Sequence, residues 1–333
     1  MDYKYLVSIS SFEFYRAQFL KARVYLPDDE KGTRIMTNFQ GGWGDINPVE
    51  IVTDAKQPLP IRLELTWVTV LDDTLYALNT KLDAAKAEEL WEKQEEDQPE
   101  DPFTHIVVGV APYGGVAVWL KSENKQVLLQ WLEAEEKEPE TDLERVLCSG
   151  DADKSMIESV MPKKLMEQYM HQYYYRLVPL EEFFDGNEWV PYDEDDDYYD
   201  DIDVDGIEVN RTDGSYQHLP DNKLLKSHHA GIPNRISLRW SVDREHFFSH
   251  YWLDTELMAT LFDHCEMMDP EGHIDLMLRV DSRSGRYELA FRHDQMQKCK
   301  TIPPFAYQLI VFKDGHELYK SPNFAQEDGA WNW

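Results

Sequence analysis

The chain has 333 residues, 42% hydrophobic and 13% aromatic, which excludes a wholly disordered polymer and exceeds what one hydrophobic core organises. Its 64 Asp and Glu against 33 Lys and Arg give a formal net charge of −31, which argues against nucleic acid and anionic membrane surfaces as partners, since two polyanions gain nothing from counterion release. A basic partner is favoured instead.

Three cysteines, Cys148, Cys265 and Cys299, have no paired spacing, so neither a disulfide framework nor a Cys-based metal site is expected. A reducing compartment fits. Residues Met1 to Ser10 have no long apolar stretch and lead at once to Glu13 and Arg16, so no secretory signal is expected. No run of about 18 apolar residues occurs, and the expected location is cytoplasmic.

In chain order, Tyr3 to Ile9 and Ala17 to Leu26 read as strands, the second stopped by Pro27-Asp28-Asp29. Gly41-Gly42-Trp43-Gly44 interrupts the pattern. It reads either as a ligand-contacting loop or as a glycine turn pinned to the core by its Trp. Leu59 to Val70 alternates apolar with polar residues and forms a strand with Thr74 to Leu78 as hairpin partner. A helix follows from Leu82 to Gln94, with Asp83 as N-cap and Ala87, Leu90 and Trp91 on one stripe. His105 to Val110 is a strand buried on both faces, Pro112 to Gly115 a turn, and Val116 to Leu120 and Val127 to Leu132 are further strands.

The stretch Pro60-Ile61-Arg62-Leu63-Glu64-Leu65-Thr66-Trp67 recurs 173 residues later as Pro233-Asn234-Arg235-Ile236-Ser237-Leu238-Arg239-Trp240. The element order recurs with it. Glu245 to Leu253 is the second hairpin partner, two residues earlier than strict repetition requires, and Asp254 to Cys265 is the second helix. Hairpins follow over His273–Val280 with Tyr287–Phe291, and over Ala306–Phe312 with Leu318-Tyr319. The expected fold is α+β, two similar domains of an antiparallel sheet with a helix on one face. Their expected bounds are 1–147 and 231–333.

Residues 148–230 form a helical linker and acidic insert between the copies. Met156, Ile157, Val160, Leu165, Met166, Tyr169, Met170 and Tyr173 have helical spacing through Tyr175, broken at Pro162. Asp193 to Asp205 then carries nine acids and no base, and should stay extended and exposed until a cation or partner neutralises it. Aromatics interleave with these acids. Trp189, Tyr192, Asp193, Glu194, Asp195, Asp196, Asp197, Tyr198, Tyr199, Asp200 and Asp201 are therefore the expected partner-contact residues, because aromatics supply rigid contact area and the acids steer a basic partner.

Asp201, Asp203, Asp205 and Gly206 match the first positions of a calcium loop, but Thr212 stands where its bidentate Glu belongs and Glu208 where an aliphatic belongs. A solvated acidic loop remains the other reading. His246 and His250, four apart on strand-like sequence, could share a face as a metal pair, yet no third ligand has suitable spacing. No G-x-S-x-G, GxGxxG or P-loop occurs, so no catalytic residues are assigned and no resident cofactor is expected.

Through Gly41-Gly42-Trp43-Gly44, Pro60 to Trp67, Leu75-Tyr76, Glu89-Leu90-Trp91 and Ile106 to Pro112, the first half resembles the bacterial domain-of-unknown-function family 2931. The second half, through Gly231-Ile232-Pro233, Leu238-Arg239-Trp240, Phe247-Phe248 and Leu261-Phe262, is similar to a degenerate second copy. Members of that family are often lipoproteins, and similar proteins occur beside secreted antibacterial effectors. The resemblance thus implies an immunity role. The leading expectation is a non-catalytic binding protein that neutralises a cognate toxin with a basic surface. The alternatives are a ligand-binding protein or enzyme using Gly41 to Gly44 and a cleft between the copies, and a calcium-stabilised structural protein.

Overall fold

Alternation of apolar and polar residues dictates most of what forms. A computed structural model describes residues 2–12, 15, 17–37, 42–46, 56–69, 71, 73–148, 157–159, 161–184, 189–191, 203–220, 228–242, 245–281, 286–294, 300–302 and 306–321. The chain divides into two units, Met1–Gln168 and Tyr169–Trp333. The fold is α+β and mainly β.

The first unit contains strands Leu6–Ser11 (β1), Ala17–Tyr25 (β2), Thr33–Arg34 (β3), Arg62–Thr69 (β4), Leu75–Lys81 (β5), His105–Val110 (β6), Gly115–Lys121 (β7), Lys125–Glu133 (β8) and Glu135–Glu136 (β9). Helices Ala84–Asp97 (α1) and Asp142–Leu147 (α2) accompany them, and Lys163–Met170 (α3) spans the division. One sheet runs β1-β6-β7-β8 and the other β3-β2-β4-β5-β9. Leu63, Leu65 and Trp67 of β4 meet Ile106 and Val108 of β6 and Trp91 of α1 in one core. Trp67 lies directly opposite Tyr76 and stacks on it at 5.4 Å. Asp83 caps α1 by accepting from Lys86 N at 3.0 Å, and Pro99 forbids its continuation beyond Gln98.

The second unit contains Tyr173–Phe184 (β10), Trp189–Pro191 (β11), Asp203–Arg211 (β12), Tyr216–Pro220 (β13), His228–Ala230 (β14), Pro233–Val242 (β15) and Glu245–Leu253 (β16). Helix Thr255–Met268 (α4) follows, then Ile274–Asp281 (β17), Arg286–His293 (β18), Lys300–Thr301 (β19), Tyr307–Lys313 (β20) and His316–Lys320 (β21). Its sheets run β13-β12-β15-β16-β20-β21 and β11-β10-β17-β18-β19, with β14 also on β10. Ile236, Leu238 and Trp240 of β15 join Phe262 of α4 and Leu276 and Leu278 of β17 in a second core. Trp240 faces Phe247 and stacks on it at 4.1 Å, and Asp254 caps α4 by accepting from Leu257 N at 3.0 Å.

Two expectations are corrected. Each unit has two sheets rather than one antiparallel sheet, and each contains a parallel pair, β1 with β6 and β10 with β17. Parallel pairing joins strands remote in sequence, so hairpin patterns do not reveal it. Helical spacing does not persist through Tyr175, since Tyr173 begins β10, where Tyr173 and Tyr175 are buried and Tyr174 points the other way. Aromatic β-formers and ladder pairing win there. β12 begins at Asp203, so Asp203 and Asp205 belong to a paired strand with a bulge between Val204 and Gly206. Asp201 lies outside the described residues. Residues 173–230, expected within the linker and insert, contribute β10 to β14 to the second unit's sheets. Among the described residues no helix is long and apolar enough to cross a membrane.

Candidate functional site

The outward row of β16 is unusual for a solvent face. Phe247, Ser249, Tyr251 and Leu253 point into the core, which leaves His246, Phe248, His250 and Trp252 on the other side. Strand register then assembles a face from distant segments. Arg239 sits between Gly206 and Phe248, Ser237 between Glu208 and His250, and Phe312 opposite Phe248. Together with Asp205, His246 and the turn Asp314-Gly315, these residues line an open basin of about 680 Å³.

Its floor is aromatic and its rim acidic. The His250 ring meets Phe248 at 4.2 Å, Trp252 at 5.2 Å and Phe312 at 6.2 Å. Asp205, Glu208 and Asp314 supply carboxylates, and Asp205 lies 3.7 Å from His246 Nδ1. Arg239 contacts His218 Nε2 at 3.2 Å. Ser237 Oγ is 2.9 Å from His250 Nδ1, and the carboxylate of that row, Glu208, falls on the serine's side rather than beyond the imidazole. That order differs from a relay in which an acid orients the base.

Burial, reinforced by the Arg235 charge and opposed by Glu208, lowers the His250 pKa below its ordinary value. Burial likewise lowers that of His273, where Asp275 opposes it. An imidazole depressed in the folded state binds fewer protons there than in the unfolded chain, so its contribution is intact above about pH 6.5 and is lost as pH falls below that value. The second unit should therefore melt at a lower temperature at about pH 5.5 than at about pH 7.5, with a smaller drop in His250→Gln. Thermal melts across that range check this, and equal drops would refute it.

Of the expected contact residues, Trp189 lies in β11, paired with Phe184 of β10. Tyr192, Asp193, Glu194, Asp195, Asp196, Asp197, Tyr198, Tyr199, Asp200 and Asp201 lie outside the described residues. They lead into β12, and Asp205 near its start stands on the basin rim. In the glycine loop, Gly41 lies outside the described residues. Trp43 packs against Phe12 at 5.2 Å and Trp119 at 4.7 Å, and a Cβ on Gly109 would come within 2.6 Å of Trp119 and 2.8 Å of Trp43. Gly44 takes φ +79° and donates its N–H to Ser10 Oγ at 3.3 Å, while Gly42 accepts from Asp45 N at 2.8 Å. The indole covers the close approach over Gly109, as a pinned turn requires.

His246 and His250 do share a face, but His250 is bonded to Ser237 and His246 lies near Asp205. Glu208, Arg239, Phe248 and Phe312 were not read from sequence as site residues. A signal was present in His246, Phe248, His250 and Trp252, a period-2 row without one small polar residue.

A chain of this architecture, mainly β with a capped helix against two sheets in each unit, carries an open sheet face as its candidate site. It belongs to the family described as Protein of unknown function (DUF2931), whose model matches residues 2–185. The match continues past the last of the first-half motifs, Ile106 to Pro112, and runs through β10. No curated protein and no solved structure matches the chain.

Proposed function

We propose that this chain acts without catalysis, by binding another protein stoichiometrically in the manner of an immunity protein that occludes a secreted antibacterial toxin in the cytoplasm. The contact surface is the basin of the second unit together with the acidic run that leads into it. The observation that carries this reading is the outward row His246, Phe248, His250 and Trp252 with Phe312, ringed by Asp205, Glu208 and Asp314. Aromatic anchors inside a polar rim are the anatomy of a protein interface, and the charge of −31 accelerates capture of a basic partner.

We also infer that the second unit is a diverged copy of the first. Supporting this are the capped helix after each Trp-bearing hairpin and the Trp–aromatic pairs Trp67–Tyr76 and Trp240–Phe247. The parallel pairs agree too, since Leu6 with His105 and Tyr175 with Ile274 are both 99 positions apart. The acidic run is then an elaboration carried by one copy.

The test is co-purification with the product of the adjacent gene, combined with rescue of cells expressing that product. Phe248→Asp should weaken the complex by about 30-fold or more, as expected for an interface anchor, with the melting temperature unchanged. Absence of both complex and rescue would sink the immunity reading, and an unaffected Phe248→Asp variant would move the interface elsewhere.

A further inference from the structure

The outer face of the β2–β4–β5 sheet carries charge opposite to that of the chain. Register places Arg34 of β3 directly opposite Arg23 of β2, Arg23 opposite Glu64 of β4, Tyr25 opposite Arg62, and Arg62 opposite Lys81 of β5. Lys21, opposite Thr66, shares this face. Five cations thus converge where Glu64 and, at the far edge, Glu135 are the facing acids among the described residues. A net charge of −31 makes such a concentration unexpected.

The Glu64 carboxylate is already engaged. Lys21 Nζ and the Tyr25 hydroxyl each donate to one of its oxygens, and although burial would raise its pKa, these bonds hold it below the ordinary carboxylate value. Arg62 lies 3.5 Å over the Tyr25 ring and donates to Asn79. Arg23 donates Nη1 to the carbonyls of Lys31 at 2.6 Å and Gly32 at 2.9 Å, which fixes its guanidinium without neutralising it. Arg34 has no carboxylate partner among the described residues. Like charges directly opposite one another on paired strands repel. Between them lies a pocket of about 230 Å³, lined by Lys21, Arg23, Arg34 and Thr37.

We propose that this pocket binds a phosphate group, free or as a monoester. With Lys21 matched by Glu64, the two guanidiniums have no carboxylate partner among the described residues, and their two positive charges are the complement of a phosphate dianion. Their planar forks suit a multi-oxygen anion, and the Thr37 hydroxyl adds a neutral donor. An extended polyanion is disfavoured because the rest of the chain repels it, whereas a compact group meets only the local field.

The experiment is calorimetric titration of the full chain at low salt with inorganic phosphate and, separately, with a phosphoserine peptide. Saturable binding at one site is expected, weakened about 10-fold or more by Arg34→Gln and by less in Arg34→Lys, which keeps the charge but not the planar fork. Arg34 is exposed at the sheet edge, so the variant's fold is checked by an unchanged melting temperature without ligand. Tighter binding of the peptide supports an esterified source, and equal binding supports free phosphate. Absence of saturation with both, unchanged affinity in Arg34→Gln, or binding of an oligonucleotide but not of phosphate would each overturn the proposal.

Discussion

Replacing Asp213 with alanine should destabilise the second unit by about 3–5 kcal/mol, the range for breaking a buried charged network by removing one member. Asp213 sits at the tip of the β12–β13 hairpin and is fully buried. Its Oδ1 accepts from Ser215 N at 2.9 Å and Ser215 Oγ at 2.6 Å, and its Oδ2 accepts from Gln172 Nε2 at 2.9 Å. Arg211, also buried, donates Nε to the Tyr175 hydroxyl at 3.0 Å, which donates to the Gly231 carbonyl at 3.0 Å. Burial, above all, raises the Tyr175 pKa, with Arg211 lowering it and Asp213 raising it, so opposite charges balance around one hydroxyl.

Alanine would remove the acceptor of three donors, Ser215 N, Ser215 Oγ and Gln172 Nε2, in a site from which water is excluded. Asp213→Asn, which keeps an acceptor, should lose less. Gly231→Ala should act at the same place, because its Cβ would come within 2.5 Å of the Asp213 carboxyl carbon. Chemical denaturation monitored on the second unit measures all three, and an Asp213→Ala midpoint equal to wild type would refute the account.

Trp240→Ala should cost about 3–5 kcal/mol, and Trp67→Ala a similar amount in its own unit, since each indole is fully buried and stacked on a cross-strand ring. The informative comparison is the milder replacement by phenylalanine. Trp240 Nε1 donates to Ser249 Oγ at 2.9 Å, whereas Trp67 Nε1 is buried without a hydrogen-bond partner among the described residues. Trp240→Phe therefore loses a bond and leaves a buried hydroxyl unsatisfied, while Trp67→Phe removes a polar group that had no partner. The first should cost about 1 kcal/mol or more beyond the second. Calorimetric unfolding of both variants decides it, and equal losses would show that the two indoles are held alike.

These residues also show what the sequence makes legible. Alternation from Leu63 to Trp67 and from Ile236 to Trp240 identified the core strands, and Asp83 and Asp254 identified helix starts, because both signals act over a few neighbouring residues. The candidate face depended instead on register. Glu208, Ser237, His250 and Phe312 come from four strands, and only the ladder sets them side by side. The same holds for Lys21, Arg23, Arg34, Arg62 and Lys81, which no local charge count would group. Helical spacing in the segment ending at Tyr175 misled because tyrosine at alternate positions serves a strand equally well.

The parallel pairs govern how the chain emerges from the ribosome. β1 cannot pair until β6 has been made, and β10 must wait for β17, a delay of 99 residues in each case. At cellular synthesis rates that is roughly 5–20 s during which β1 has no ladder partner among the described strands and β10 has only the short strands β11 and β14. Long-range closure of this kind is slow and leaves strand edges open to other chains. A strongly acidic nascent chain repels its copies on neighbouring ribosomes, so the net charge of −31 also protects each unit while it waits for these strands.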